Sequence, residues 1–451
     1  MAEGEGGDAQ RGPVVMAPDC DVVVIGGGPA GSTTAALLAK RGHNVVLLEK
    51  ATHPRFHIGE SLLPANLPLF EKLGVAKEVE AIGIDKWGAT FVSPYHDFKS
   101  GFEFGDAVDP TMPKAYEVRR SQLDEILFRN AARSGAETHE NCRVRDFDVG
   151  DAHTRPRVRA TMGDGSEREW RPKFVVDATG RDTLFANRFK IKQRNMEHAS
   201  AAVFGHFRNA RRDPGRNEGN IIILWFEHGW FWFIPLKDGI TSVGAVVWPY
   251  YMKSRKKPVR EFLMDTIAMS PELADRLKEA ELVAEPEATG NYSYQCTSCQ
   301  GENYVMVGDA YAFVDPVFSS GVLLATNGGF AAADVVHARL ADPKKEADAR
   351  RRYEWALRHG PREFSWFIYR VTHPTLRDLF MSPSDKLGMK SAVLSVLAGD
   401  IFRDTPIRRG LFGFRAIYYI YAVLNLPRSI AAWRRRAFNI RDDSEMRPSR
   451  G

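Results

Sequence analysis

The sequence predicts a mixed chain of α/β plus α+β class: a doubly wound nucleotide-binding part, an antiparallel sheet and a helical C-terminal region. Three observations predict it. An apolar strand, a glycine-rich turn and a helix follow one another from Asp21 to Arg41, with a second apolar strand at Asn44 to Leu48. Aromatic and apolar stretches alternate between Ala201 and Pro249, as antiparallel strands do. From Ala341 onward the pattern is mostly helical and rich in aromatics.

In chain order, residues 1–17 read as a disordered tail, acidic and Gly-rich without the apolar run of a signal peptide. Arg120 to Ser134 reads as a helix, Phe174 to Val176 as a short strand entering Asp177-Ala-Thr-Gly180, and Tyr304 to Val307 as a buried strand before Gly308-Asp309. Gly321 to Leu340 reads as a long helix. The expected division is residues 18–200 with 285–340 as the nucleotide-binding domain, 201–284 as the substrate-side sheet, and 341–451 as the helical region.

The 451 residues, 44% hydrophobic and 26% charged, are those of an ordinary globular protein with room for two or three cores. The net charge of +5 is uneven: Ile401 to Gly451 carries 11 Lys+Arg against 4 Asp+Glu. Such a basic end suits nucleic acid, an anionic membrane or simply a solvated surface, and the last is the commonest. Ala416 to Leu424 is far short of the ~20 apolar residues that span a bilayer. Four cysteines are too few for a disulfide framework and suit the cytoplasm. Cys296 and Cys299 form a CxxC with no second pair or nearby His, so no metal site is expected. Neither nucleic acid nor membrane is an expected partner.

GGGPAG, Gly26 to Gly31, contains GxGxxG as Gly26, Gly28 and Gly31, between a strand and a helix. Its glycines allow a tight turn and close approach to a pyrophosphate, and the helix N-terminus adds N–H groups and partial positive charge. Glu49, ending the next strand, suits a ribose 2′-hydroxyl and repels a 2′-phosphate.

Val175-Val-Asp-Ala-Thr-Gly-Arg181, Val307-Gly-Asp-Ala310 and Arg120-Ser-Gln-Leu-Asp124 resemble the remaining FAD fingerprints of the flavoprotein monooxygenase superfamily. The resemblance implies a Rossmann-like FAD-binding domain in which Gly26, Gly28, Ala30, Gly31, Glu49, Lys50, Arg120, Asp177, Gly180 and Asp309 hold the cofactor. With one GxGxxG only, no NAD(P)H site is visible, and the reduced flavin is expected from a separate flavin reductase.

Four further segments narrow the resemblance. Pro54-Arg-Phe-His-Ile-Gly-Glu-Ser-Leu-Leu-Pro64, Asp85-Lys-Trp-Gly-Ala-Thr-Phe91, Trp230-Phe-Trp-Phe-Ile-Pro235 and Asp315-Pro-Val-Phe-Ser-Ser-Gly321 resemble flavin-dependent halogenases of the phenol and pyrrole type. The likeness runs from about residue 19 to beyond residue 400. It implies that reduced FAD and oxygen convert bound chloride or bromide to hypohalous acid, which Lys86 relays to an electron-rich aromatic, free or on a carrier protein. It also adds Gly59, Glu60, Ser61, Pro316 and Gly321 to the cofactor site, assigns the halide to the Ser320 and Gly321 amides, and puts Ser319, Trp230 and Trp232 among the catalytic residues. A helix start is a natural anion cradle, although hydroxylases of the superfamily use a similar one to stabilise the flavin ring. A lysine buried in an apolar tunnel has a lowered pKa, which favours halogen capture.

The sequence departs from the tryptophan halogenases, whose P-x-E-S-T-G segment has a glutamate where Phe318 stands here. The absence argues for rings activated by themselves, phenols or pyrroles. On a strand, Trp230, Trp232 and Ile234 share one face, which is expected to be core or a wall between flavin and substrate. The aromatic and arginine-rich stretch after residue 341 is expected to cover the active site, with carrier docking through Arg434-Arg-Arg436 and membrane contact as alternatives. Among enzymes, an FAD monooxygenase or a geranylgeranyl-reductase-like flavin oxidoreductase is the competing reading. A flavin-binding regulator that kept the fold is the non-enzymatic one.

Overall fold

The computed structural model of the chain describes residues 14–290 and 293–441. Five parallel strands form its nucleotide-binding sheet in the order Tyr304–Met306, Phe174–Asp177, Val22–Ile25, Val45–Leu48 and Glu137–His139. The three central strands are unbroken apolar or β-branched runs up to Asp177, and every one of their residues is buried, as a sheet covered on both faces requires. The helices Pro29–Lys40, Arg120–Arg133 and Gly321–Ala341 pack around this sheet and share one apolar core with it. The register brings Ile25 level with Asp177 and Leu48, so the turns after these strands open at one end of the sheet.

A second sheet of eight strands is built around Ala201–Arg208, Ile221–Phe226, Gly229–Pro235 and Ile240–Val247. One correction to the expected boundaries follows. Gly88–Val92 and Ser100–Glu103, assigned by sequence to the nucleotide-binding part, complete this sheet, the first pairing in parallel with Ile221–Leu224. Buried Asn220 fixes the junction: its Oδ1 accepts from both the Trp87 and Gly88 N–H at 2.8 Å. No local pattern announces a pairing over 130 residues of chain.

A second correction concerns the N-terminus. Val14–Met16, part of the expected disordered tail, is a strand parallel to Glu167–Glu169; residues 1–13 lie outside the described ones.

The C-terminal helices Glu346–Ile368, Pro374–Met381, Met389–Leu397 and Arg408–Leu424 pack on one face of the eight-stranded sheet. Phe364, Phe367, Phe380, Phe414 and Tyr418 are buried there together with Trp225, Trp230 and Trp232. Phe231 and Phe233, one residue out of step, face the opposite core with Phe262 and Leu263. Arg428, Arg435 and Arg436 are engaged with Asp378, Glu227 and the Glu197 carbonyl. No helix among the described residues is long and apolar enough to cross a membrane.

Candidate active site

The turn after Val22–Ile25 is set by two backbone approaches. Gly26 has φ +107°, and a Cβ there would meet the Ala178 carbonyl oxygen at 2.2 Å. A Cβ on Gly31 would lie 1.9 Å from the Gly26 carbonyl oxygen. Only glycine serves at either position. Buried Glu49 closes the turn from the neighbouring strand: Gly27 N–H donates to its Oε2 at 2.8 Å and Ala51 N–H to its Oε1 at 2.9 Å. Oε1 keeps a further lone pair for a ribose hydroxyl.

This turn forms one wall of a cavity of about 520 Å3, within the usual range for cofactor sites. Of the expected cofactor residues, Gly26, Gly28, Ala30, Glu49 and Lys50 line its nucleotide end. Gly59, Glu60, Ser61, Arg120, Gly180, Asp309, Pro316 and Gly321 line the rest of it. Lys50 pairs with Asp182. Arg120 is held by Asp124, with Nε–Oδ1 at 3.0 Å, and donates through Nη1 to the Ile58 carbonyl at 2.6 Å. Burial pushes the Asp309 carboxyl up to about 6, against the pull of Arg120 and Arg181. Glu60 takes the His206 Nε2 at 2.9 Å.

Four expected site residues do not line the cavity: Gly31, Asp177, Lys86 and Ser320. Gly31 is spent on packing beneath the turn. Fully buried Asp177 accepts from Thr179 N–H and Oγ1–H and from Phe185 N–H, so it shapes the 178–180 turn from behind.

Ser320 is the N-cap of the long helix Gly321–Ala341. Its hydroxyl is buried and has no hydrogen-bond partner among the described residues. Ser319, just before it, lines the cavity and adopts a left-handed conformation, φ 56° and ψ 24°. The loop is braced by buried Asp315, whose Oδ1 accepts from Val317 N–H and whose Oδ2 meets His198 Nε2 and the Ser200 hydroxyl.

Lys86 ends the strand Ile84–Lys86 and is 1% exposed. Its Nζ donates to the Ser61 hydroxyl at 2.8 Å and to the Leu62 carbonyl at 3.0 Å, and lies 3.9 Å from Glu117 Oε1. Burial lowers the Lys86 pKa, with Glu117 opposing, and pushes the Glu117 carboxyl up to about 8. Glu117, fully buried, escaped the sequence reading because it stands three residues before the quoted Arg120–Asp124 stretch, outside it.

Trp230, Trp232 and Ile234 all line the cavity from one face of their strand. Trp232 Nε1–H donates to the Ser242 hydroxyl at 3.1 Å, and its ring occupies the space over Gly244, where a Cβ would come within 2.3 Å of it.

The family of the FAD binding domain matches residues 19–347. Flavin-dependent halogenase gsfI of Penicillium aethiopicum is 35% identical over 359 residues, 74% of this chain and 67% of that one. A 1H-pyrrole-2-carbonyl peptidyl-carrier-protein chlorinase of Pseudomonas fluorescens is 30% identical over 412 residues, 85% of this chain and 90% of that one. The chain belongs to the flavin-dependent halogenases. The fold of this halogenase is also that of a flavoprotein/dehydrogenase from Cytophaga hutchinsonii, with TM-score 0.83 and 27% identity over 90% of this chain and all of that one.

The halogenase cavity fits FAD by its own chemistry: its lining holds the glycine turn and helix start, a carboxylate with a spare lone pair on Oε1, Arg120, and apolar Trp230, Trp232 and Phe313. Arg55, His57 and Thr179 line it too and were not singled out from the sequence, although Arg55 and His57 lie inside the quoted Pro54–Pro64 stretch. Arg55 reaches Glu49 Oε2 and Asp124 Oδ2, each at 3.4 Å. His57 is kept neutral, its pKa lowered to about 4 by burial and by Arg120.

Proposed function

We propose that this halogenase uses reduced FAD, oxygen and chloride or bromide to halogenate an electron-rich aromatic of phenol or pyrrole type, with Lys86 relaying the halogen. Bound reduced FAD supplies, with oxygen, the oxidation that turns halide into hypohalous acid. The observation that carries the reading is the position of Lys86: a buried amine tied through the Ser61 hydroxyl to the wall of the cofactor cavity. Burial favours its neutral form, which has the lone pair that captures halogen.

The helix start at Ser320 and Gly321 offers N–H groups without intrahelical acceptors and a buried hydroxyl with a hydrogen to give. A halide there accepts all of them. Trp230, Trp232 and Ile234 form an apolar wall that keeps the ring of the substrate from the cofactor while a small oxidant passes. A separate flavin reductase in the cytoplasm supplies the reduced cofactor. The name of the Pseudomonas relative supports a substrate carried on a carrier protein.

The test is a single turnover of the reduced, FAD-loaded protein with oxygen and a phenolic probe, with and without halide. Halide-dependent halogenated probe that disappears in Lys86→Ala supports the proposal. Hydroxylated probe, or hydrogen peroxide regardless of halide, favours the second reading, an FAD monooxygenase or geranylgeranyl-reductase-like oxidoreductase, to which the likeness to the Cytophaga flavoprotein/dehydrogenase lends weight.

A further inference from the structure

We propose that Glu117 is the proton-handling partner of Lys86, taking the ammonium proton before the lysine captures halogen and returning it when the halogen leaves. The proposal rests on the relay role given to Lys86 above.

The strand Ala115–Glu117 runs antiparallel to Ile84–Lys86 on one side, and Glu117 bridges to Ser61 on the other. The pairings bring lysine and glutamate together beside Ser61, both at most 1% exposed. The Lys86 ammonium has three N–H donors and spends two, on Ser61 and Leu62. Neither Glu117 oxygen receives a hydrogen bond of normal geometry among the described residues; the Ser61 hydroxyl lies close enough to favour the charged carboxylate, and the nearest cation, Lys86, stands 3.9 Å away. A purely structural ion pair would close that gap and satisfy those oxygens, because buried charges without hydrogen bonds are costly. Moving one proton from Nζ to the carboxylate removes both charges at once. The other carboxylate facing the pair, Glu60, adds negative charge near Glu117 and is itself engaged by His206. Glu117 is therefore the carboxylate free to take the proton.

The step balances. The ammonium gives a proton to the carboxylate, leaving an amine and a carboxylic acid. The amine attacks the halogen of hypohalous acid; an N–halogen bond forms, the halogen–oxygen bond breaks, and the departing hydroxide takes an N–H proton as water. The ring carbon then attacks the halogen, the N–halogen electron pair stays on nitrogen, and Glu117 protonates it. The proton lost from the ring carbon returns to the Glu117 carboxylate. The sum is aromatic C–H plus hypohalous acid giving aromatic C–halogen plus water.

The test compares wild type, Glu117→Gln, Glu117→Asp and Lys86→Ala as FAD-loaded proteins, with bromide, oxygen and a phenolic probe. It reads halogenated probe, hypobromous acid trapped by a thioether, retained flavin and the pH profile. Glu117→Gln is expected to keep flavin and hypobromous acid formation but lose probe bromination by about 10²–10⁴-fold, with partial recovery in Glu117→Asp. Glu117→Gln brominating at the wild-type rate, while Lys86→Ala does not, overturns the proposal and leaves the lysine relay standing. Lys86→Ala brominating like wild type removes the relay itself. Should Glu117→Gln fail to retain flavin, the wild type decides: its bromination rate is expected to rise with pH as the pair loses its first proton and to fall as it loses the second, and a flat profile between about pH 6 and 9 overturns the proposal.

Discussion

Asp315 and His198 meet at 2.9 Å between Oδ2 and Nε2, joining residues 117 apart in the chain. The same carboxylate holds Ser200 and the Val317 N–H, so one buried group ties the entry to the second sheet to the loop before the long helix. Asp315→Ala leaves these donors unpaired in a buried place, and each unsatisfied group costs about 1–3 kcal/mol. The expected outcome is a lower melting temperature and a several-fold rise in the halide concentration needed for half-maximal rate. A variant with unchanged halide dependence would separate the brace from the proposed cradle.

The Ser320 hydroxyl predicts opposite effects on stability and on halide use. Without halide, Ser320→Ala removes a buried group that has no partner among the described residues, so stability should be unchanged or higher by up to about 1–3 kcal/mol. With halide bound at this helix start, the same change removes a donor and should weaken halide several-fold. Thermal melts with and without bromide, read beside the halide dependence of turnover, check both halves.

Gly31→Ala should abolish flavin retention. The added Cβ meets backbone, the Gly26 carbonyl oxygen, which cannot move without distorting the turn. Flavin absorbance after gel filtration reads the result directly; a yellow, fully loaded variant would show that the turn can shift.

Trp232→Ala should cost about 3–5 kcal/mol, the usual penalty for emptying a buried aromatic site, and should uncouple oxygen consumption from halogenation if the wall is what separates substrate from cofactor. Trp232→Phe keeps most of the wall and loses only the bond to Ser242. Denaturant titration and the ratio of product to oxygen consumed measure the two effects. Unchanged coupling in a Trp230/Trp232 double alanine variant would leave the strand as core alone.

Glu117 gives stability a definite pH sign. Its carboxyl is raised in the folded protein, from an ordinary value of 4.5 to about 8, so the folded state binds this proton more tightly than the unfolded chain. The contribution is fully present below about pH 4.5 and is lost as pH rises towards 8. Glu117→Gln removes the titration, so melting temperatures of variant and wild type measured from pH 5 to 8 should diverge in the variant's favour as pH rises.

The parts of the fold legible in the sequence were those whose signal is local. The Asp21–Arg41 unit and the strand before Glu49 are short runs of buried residues around a glycine turn, and the structure places their strands within a residue of the expected bounds and their helix at Pro29–Lys40. The alternation of Trp230, Phe231, Trp232 and Phe233 between two cores follows from the period of a strand. The transfer of Gly88–Val92 to the second sheet was hidden, because it depends on a pairing with Ile221–Leu224 and on Asn220. Glu117 was hidden for the same reason: in sequence it is one more glutamate, and only the strand pairing and its burial set it beside Lys86. Asp177 shows the reverse, a motif residue whose side chain shapes a turn without reaching the cavity.

The cavity draws its walls from Ile25 through Ala325, so no short fragment of the chain owns the whole site. Flavin that binds the complete cavity favours the chain whose distant segments have come together over one in which they have not. At free flavin a hundredfold above the dissociation constant, this linkage adds about 2.7 kcal/mol to the assembled state alone. Cells or expression cultures rich in riboflavin should therefore yield more intact protein even from variants whose defects lie far from the cofactor.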